Sequence, residues 1–278
     1  MVSLSAIILS YTNGEKIHHM NLNCIQTLQQ SEVFGKDISL EVIVIESNKN
    51  YHDDGYKFPP NVKVIVPEQA FNFHAYLNIG IAAAEGRFVA LCNNDLEFQK
   101  EWFTEILKVK NAHPEIHSFS PVEPNEQWDA NAYVLGYNVR KHIKGWCIVI
   151  EKELFKITGK LDEQFEFYYA DDDYAMTLRK HHMPHAVVVK SVVRHLGGVN
   201  TESNREEGQS EYNRVTSQYP NLPKYLFTDG YKWILRNEKL LKGHLQFHKK
   251  WGSVKSIAWK MKLYRLLSVF GCGHWVKW

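Results

Sequence analysis

The sequence predicts an α/β fold: a Rossmann-like, mostly parallel central sheet flanked by helices, followed by a helical extension that is basic and aromatic. Three observations carry this. Short apolar runs such as VIVI, Val42 to Ile45, and FVALC, Phe88 to Cys92, have strand length and no polar stripe, as strands covered on both faces do. Between them apolar residues recur at helical spacing, the rhythm of βαβ units with right-handed crossovers. Charge is also divided unevenly. Of the 33 basic and 31 acidic residues, nine basic and no acidic ones fall between Lys239 and Trp278, which leaves 24 and 31 in positions 1–238. One chain therefore carries two different surfaces.

Ala6 to Leu9 reads as the first strand, and Ile17, Met20, Cys24, Ile25 and Leu28 mark the helix after it. Val42 to Ile45 and Val62 to Val66 are the next strands. Phe73 to Ala84 is a helix that Gly86 can end, and Phe88 to Cys92 follows as a buried strand. Trp102, Phe103, Ile106 and Leu107 mark a helix that stops before Pro114. Over 118–145 the alternation Tyr133, Leu135, Tyr137, Val139 predicts an antiparallel hairpin over the sheet. Trp146 to Ile150 is apolar, EKELFKITG is a short helix ended by Gly159, and Val187–Val189 and Val192–Val193 are late strand material. Thr201 to Arg214 is almost wholly polar and reads as a loop, either plain surface or, at Glu202 to Glu207, a lid. In the tail, Trp251, Val254, Ala258 and Met261 fall on one side of a helix, extended by Ile257 and Tyr264, with Lys255 and Lys262 beside that stripe.

Composition excludes several classes. With 44% hydrophobic and 23% charged residues, wholesale disorder is not expected. No apolar run reaches the length of a membrane span, and the N-terminal segment lacks a basic region and a cleavage site, so a cytoplasmic location is expected. Cys24, Cys92, Cys147 and Cys272 show no CxxC spacing, which favours free thiols over disulfides or zinc. No nucleic-acid motif accompanies the basic tail. Its basic, Trp-rich helix suits either an anionic membrane surface or packing on the rest of the chain.

Chemistry concentrates at LCNNDLEF, Leu91 to Phe98, where a buried strand runs into Asn93-Asn94-Asp95. Ligands of open α/β sheets bind outside the carboxyl ends of the strands, and a carboxylate there can hold a divalent cation and through it a diphosphate. The same triplet also suits an ordinary turn. Trp128, Tyr133, Tyr137 and Trp146 offer aromatic faces for stacking, with Arg140 among them, or equally for hairpin packing.

Beyond this cluster stand LDEQFEFYYADDDYAMTLRK, Leu161 to Lys180, and VVRHLGG, Val192 to Gly198. In order and content these segments resemble the GT-A-fold glycosyltransferases of inverting family 2, especially its rhamnosyltransferase-like branch, over roughly residues 3–200. SYTN, Ser10 to Asn13, matches the family's first turn and brings Ser10, Tyr11 and Asn13 to the nucleoside. Glu46 matches the acidic residue that reads base or ribose. Phe73, Asn78, Gly80 and Ile81 match FxxxxNxGI. The metal motif falls on Asn93, Asn94 and Asp95, with Asn93 at ribose or metal; its first carboxylate is missing here, and the resemblance implies that Asn78, Asn93 and Asn94 contact the nucleotide-sugar donor. Gly145, Glu153, Phe155, Gly159, Asp162, Glu163, Phe165, Tyr168, Asp171, Asp173 and Arg179 echo the later block, where Ala170 replaces a family Glu.

The resemblance implies a GT-A catalytic domain over 1–215, nucleotide-binding to about 100 and acceptor-binding beyond, with a helical extension over 216–278. It implies a UDP-, dTDP- or GDP-sugar donor, Mn2+ or Mg2+ on Asp95 and His195, and Asp171 as the base that deprotonates an acceptor hydroxyl. Trp128, Tyr137, Trp146 and Asp172 are the acceptor candidates. The acceptor would be a glycan or lipid-linked glycan of a surface polysaccharide such as lipopolysaccharide, O-antigen or capsule. A sugar nucleotidyltransferase is a rival, but SYTNGEKI has no Gly-rich basic phosphate loop. A non-catalytic GT-A relative that binds glycan or nucleotide is the other.

Overall fold

The structure, a computed structural model, describes residues 2–197 and 205–278. β1 (Val2–Ser10), α1 (Glu15–Gln30), β2 (Ile38–Glu46), β3 (Val62–Ile65), α2 (Phe73–Ala83) and β4 (Phe88–Cys92) form the first half. Its four strands are all parallel, in the order β3-β2-β1-β4, as their apolar sequences require. All five residues of β4 and the last five of β2 are buried. The Asn72 side chain caps α2 by accepting from the Ala75 amide. That helix ends at Ala83, with Ala84 already extended, so Gly86 is not its stop. Gly86 instead lets the chain pass against Ser5 of β1.

The second half adds β5 (Leu96–Phe98), α3 (Trp102–Ala112), β6 (Ser118–Val122), β7 (Tyr133–Leu135), β8 (Cys147–Glu151), α4 (Leu154–Thr158), α5 (Ala170–Lys180) and β9 (His185–His195). The sheet continues β4-β8-β6-β9-β5, with β7 also on β9. β8 runs antiparallel to both neighbours, whereas β6 and β9 are parallel. The hairpin expected over 118–145 does not form. β6 is fully buried and pairs inside the sheet, while the three-residue β7 lies on the other edge of β9. The two late strands expected at Val187–Val189 and Val192–Val193 are one, β9, and its pairing with β6 shifts register between Ser120 and Val122. One sheet face packs on α1 and α3 through Leu28, Trp102 and Phe103, the other on α2 and α5 through Tyr76, Leu77 and Leu178.

The C-terminal part contains α6 (Arg205–Gln218), 3-10 turns at Lys224–Phe227 and Lys232–Arg236, α7 (Glu238–Trp251) and α8 (Val254–Val269). The polar loop expected over Thr201–Arg214 is helical from Arg205 onward, and the lid expected at Glu202 to Glu207 begins outside the described residues. Polarity misled because α6 is tied by ion pairs from Arg214 to Glu211 and Glu238, and among its described side chains Val215 enters the core with Tyr212 packed against it. Val215 packs with Leu226, Ile234, Leu235 and Leu241, so the boundary expected at 215/216 falls inside a helix of the C-terminal cluster.

α7 docks on α5. Trp251 Nε1 donates to Asp173 Oδ1 at 2.7 Å, and Lys250 Nζ bridges Asp173 Oδ1 (2.7 Å) and Asp162 Oδ2 (2.8 Å). Both ring nitrogens of His244 are bonded to tyrosine hydroxyls, Tyr169 at 2.8 Å and Tyr225 at 2.9 Å. The stripe expected from Trp251 to Met261 is therefore broken. Trp251 is buried at the end of α7, Gly252 turns the chain with φ 108°, and Ser253 caps a new helix by accepting from Ser256 N.

α2 seats on β1 because Gly80 lacks a side chain: an added Cβ would lie 2.4 Å from Ile7 Cγ2. Gly80→Ala should therefore lower unfolding free energy by about 1–3 kcal/mol, despite the better helix propensity of Ala. Urea denaturation reads this, and an unchanged or raised midpoint would contradict the packing described.

Candidate active site

The sheet register gathers Ser10, Glu46, Asn93, Asp95, Trp146 and His195 at one end. Ser10 pairs with Glu46 and Ile8 with Cys92, so β1, β2 and β4 finish together. Cys92 is opposite Cys147, which sets Asn93 beside Trp146, and Asn93 N donates to Trp146 O at 2.9 Å. Leu96 is opposite His195, which places Asp95 at His195. Cys24, Cys92 and Cys147 are buried free thiols beneath this floor.

Glu46 is wholly buried and its carboxylate is saturated by the chain itself. Oε1 accepts from Thr12 N (3.0 Å) and Asn48 N (2.8 Å), and Oε2 accepts from Ser10 Oγ (2.7 Å) and Thr12 Oγ1 (2.6 Å). A carboxylate has about four lone-pair sites, so none remains for a nucleoside. The expectation that Glu46 touches the nucleoside is corrected: here it shapes the turn. Asn21 Nδ2 donates to Ser10 Oγ and Thr12 Oγ1, and Asn94 Nδ2 donates to Asn21 Oδ1 at 2.7 Å, so Ser10 and Asn94 belong to the same internal network. Tyr11, 58% exposed, and Asn13 are the residues of this turn that face outward. Asn78 is also used internally, bonded to Leu161 and Glu163, which pins the segment leading to α5.

Asp95 and His195 meet with Oδ2 and Nε2 3.2 Å apart. Among the described residues Asp95 Oδ1 is buried without a hydrogen-bond partner. No cluster of three or more His, Cys, Asp or Glu able to hold a metal occurs among the described residues. The pair nevertheless fits a cation that takes its other ligands from phosphate and water. Its spacing is close to the roughly 3 Å between adjacent ligands of an octahedral ion, and the unpartnered oxygen is free to coordinate. The Trp146 ring stacks on His195 with centroids 5.5 Å apart and planes at 12°. His195 N donates to Glu123 Oε2 at 3.2 Å.

Successive residues of a helix turn by about 100°, and the three acids at the start of α5 consequently face different partners. Asp171 lies over Gly145, where an added Cβ would be 2.0 Å from Asp171 Oδ2. Among the described residues it takes no hydrogen bond or ion pair. Burial, then Asp172, pushes Asp171 up to about 7 against the pull of Arg140. Asp172 is also raised, by burial, with Arg140 and Arg179 opposing. Asp173 points away to Lys250 and Trp251. Asp171, Gly145, Trp146, His195 and Asp95 thus form one contiguous series.

The acceptor candidates separate. Trp146 lies inside this series. Tyr137 does not face it: its hydroxyl donates to Met183 O at 3.0 Å and its ring packs under Arg179 at 4.9 Å, so the expectation for Tyr137 is corrected to a packing role. Trp128 is half-buried, donating to Glu126 Oε2 at 3.2 Å beside Lys141 and His142, and Glu126 is ion-paired to Lys144 next to Gly145. Sequence reasoning missed Thr12, Asn21, Asn48 and Glu123. For Asn21 a signal existed: it is a polar residue on the stripe of Ile17, Cys24 and Leu28 that buries against the sheet.

The family model of Glycosyl transferase family 2 matches residues 7–183, from within β1 to just past α5. Asp95 and Asp171 lie inside that match and His195 outside it. No curated protein matches the chain. Among solved structures, the chain is similar to a crystal structure of GalNAc-T7 with UDP, GalNAc and Mn2+ at a TM-score of 0.57 and 14% identity. The match covers 84% of this chain and 54% of that one, so the chain spans about half the length of that structure. At this identity the likeness is one of fold.

The position of Asp171 makes stability depend on pH. Its folded pKa of about 7 lies above the unfolded carboxylate value, so its contribution is full below pH of about 4 and is lost as pH rises through about 7. Asp171→Asn cannot ionise. Its urea midpoint should gain on that of the parent protein as pH goes from about 4 to about 8, and parallel curves over this window would refute the raised pKa of Asp171.

Proposed function

Because this chain belongs to glycosyl transferase family 2 and has a GT-A fold, we propose that it moves a sugar, with inversion, from a nucleotide donor to a hydroxyl of a glycan acceptor. The observation that carries the reading is Asp171, a carboxyl held near neutrality and lying over Gly145, next in the chain to the Trp146 ring that stacks on His195. A base poised near the working pH takes a proton most effectively from an attacking hydroxyl. Asp172 and Arg140 adjust its charge, and Trp146 offers an aromatic face to the acceptor ring. Attack on the side opposite the leaving diphosphate inverts the anomeric centre, as in single-displacement glycoside chemistry. Tyr11 and Asn13 receive the nucleoside, on a turn that Glu46 holds rigid. Asp95 and His195, with Asn93 beside them, would hold Mn2+ or Mg2+, which as a Lewis acid neutralises charge on the leaving phosphate. The imidazole favours Mn2+.

The donor class is a UDP-, dTDP- or GDP-sugar, and the acceptor a growing surface polysaccharide extended in the cytoplasm. The reading includes a catalytic domain that ends ahead of α6, nucleotide-binding in its first half, with a helical extension from α6 onward.

Asp171→Asn should lower transfer by about 10²–10⁴-fold while donor still binds, measured as nucleoside diphosphate released on adding acceptor. Retained turnover would remove Asp171 from the reaction. Separately, thermal shift with a panel of sugar nucleotides should single out one donor, since a ligand at a hundred times its Kd adds about 2.7 kcal/mol. Asp95→Ala should abolish the additional shift that Mn2+ gives, and an Mn2+ response kept by that variant would exclude the proposed cation site.

A further inference from the structure

Not one residue of α8 is buried. One side still holds it to the protein: Ile257 packs on the cluster of Phe165, Phe247 and Trp251, and the Tyr264 ring lies 5.7 Å from that of Trp278. The opposite side faces outward. With 3.6 residues per turn, Trp259, Leu266 and Phe270 align as one row along it and Lys255 and Lys262 as a second, parallel row, with Arg265 and Val269 beside them. Trp259 is 63% exposed, Leu266 60%, Phe270 73% and Val269 79%. Among the described residues Lys255, Lys262 and Arg265 form no ion pair, and α8 contains no acidic residue.

We propose that this face seats the protein on an anionic phospholipid surface, with the apolar row among the upper acyl chains and the cations among headgroup phosphates. The occupant follows from charge and polarity together. A second copy would bring like charges into contact, because the tail from Lys239 onward holds nine basic residues and no acidic one. Nucleic acid would satisfy the cations and leave Trp259, Leu266, Val269 and Phe270 against phosphate and water. A lipid interface accommodates both rows, as it does for interfacial helices generally. The rest of the chain, with 24 basic and 31 acidic residues, is repelled from the same surface, which orients the molecule tail-down. α7, which precedes this face across Gly252, is anchored to α5 through Lys250, Trp251 and Asp173, so docking also fixes the height of Asp171 above the bilayer.

Flotation of the full chain with vesicles tests this without donor or turnover, so its outcome is independent of the transfer reaction. The protein should float with vesicles of equal parts phosphatidylcholine and phosphatidylglycerol, not with phosphatidylcholine alone, and less as salt rises. Lys255→Gln, Lys262→Gln and Arg265→Gln together should weaken partition about a hundredfold, at about fivefold per cation. Trp259→Ser with Leu266→Ser and Phe270→Ser should weaken it at least tenfold, with the thermal transition of both variants unchanged. In the unaltered protein, brominated acyl chains should quench a share of tryptophan emission that Trp259→Phe removes. Equal flotation on both vesicle types, none on either, undiminished binding by both triple variants, tighter binding to duplex DNA or RNA than to vesicles, or dimerisation through this face would overturn the proposal.

Discussion

A buried carboxylate whose acceptor sites are all occupied, Glu46, is the constraint on which the site depends. Taking a carboxylate out of water costs several kcal/mol unless hydrogen bonds replace the lost hydration. Here four donors do so, from Ser10, Thr12 and Asn48. Meeting that demand fixes the turn after β1 against the end of β2. Asn21 and Asn94 extend the order to α1 and to the loop after β4. The exposed side chains of Tyr11 and Asn13 therefore stand on a rigid base, which binding chemistry needs.

A second constraint works from the tail. Asp171, Asp172 and Asp173 are adjacent in sequence, yet helical rotation gives them a neighbouring glycine, two arginines and a Lys–Trp pair respectively. Asp173 holds α7, and Asp171, on another face of the same turn, takes no hydrogen bond among the described residues. Tyr169, in the left-handed region at φ 65°, launches α5 at the required angle and is held there by His244 of α7. The C-terminal helices thereby contribute to the geometry of a site they do not line.

Much of the fold was legible from local pattern. Strands β1 to β4 and the helices between them announce themselves because a strand covered on both faces must be apolar throughout and a helix must repeat its apolar residues every three or four. The same logic failed where pattern is weak. Tyr133 to Val139 alternates as a hairpin would, but period two marks a strand without naming its partner, and β9 took it. The polar run before Arg214 looks like a loop because a helix that, among its described side chains, packs on the core through Val215 and Tyr212 leaves almost no apolar trace. Gly86 resembles a helix stop, but its purpose is close passage against Ser5. In the tail, the row of Trp259, Leu266 and Phe270 could not be distinguished from an inward stripe until Gly252 was seen to break the chain.

The sequence by itself determined the family, the α/β class and the candidates Asp95, Asp171 and His195, because residue type and order along a chain carry chemistry and periodicity. Tertiary structure alone decided which of those residues meet. Register across β4, β8, β5 and β9 set Asp95 on His195 and Trp146 beside Asn93, and pairing between distant strands leaves no local signature. It also decided that Glu46 and Asn78 serve the protein itself and that Tyr137 turns toward Met183, since occupancy of a lone pair depends on donors that arrive from elsewhere in the fold.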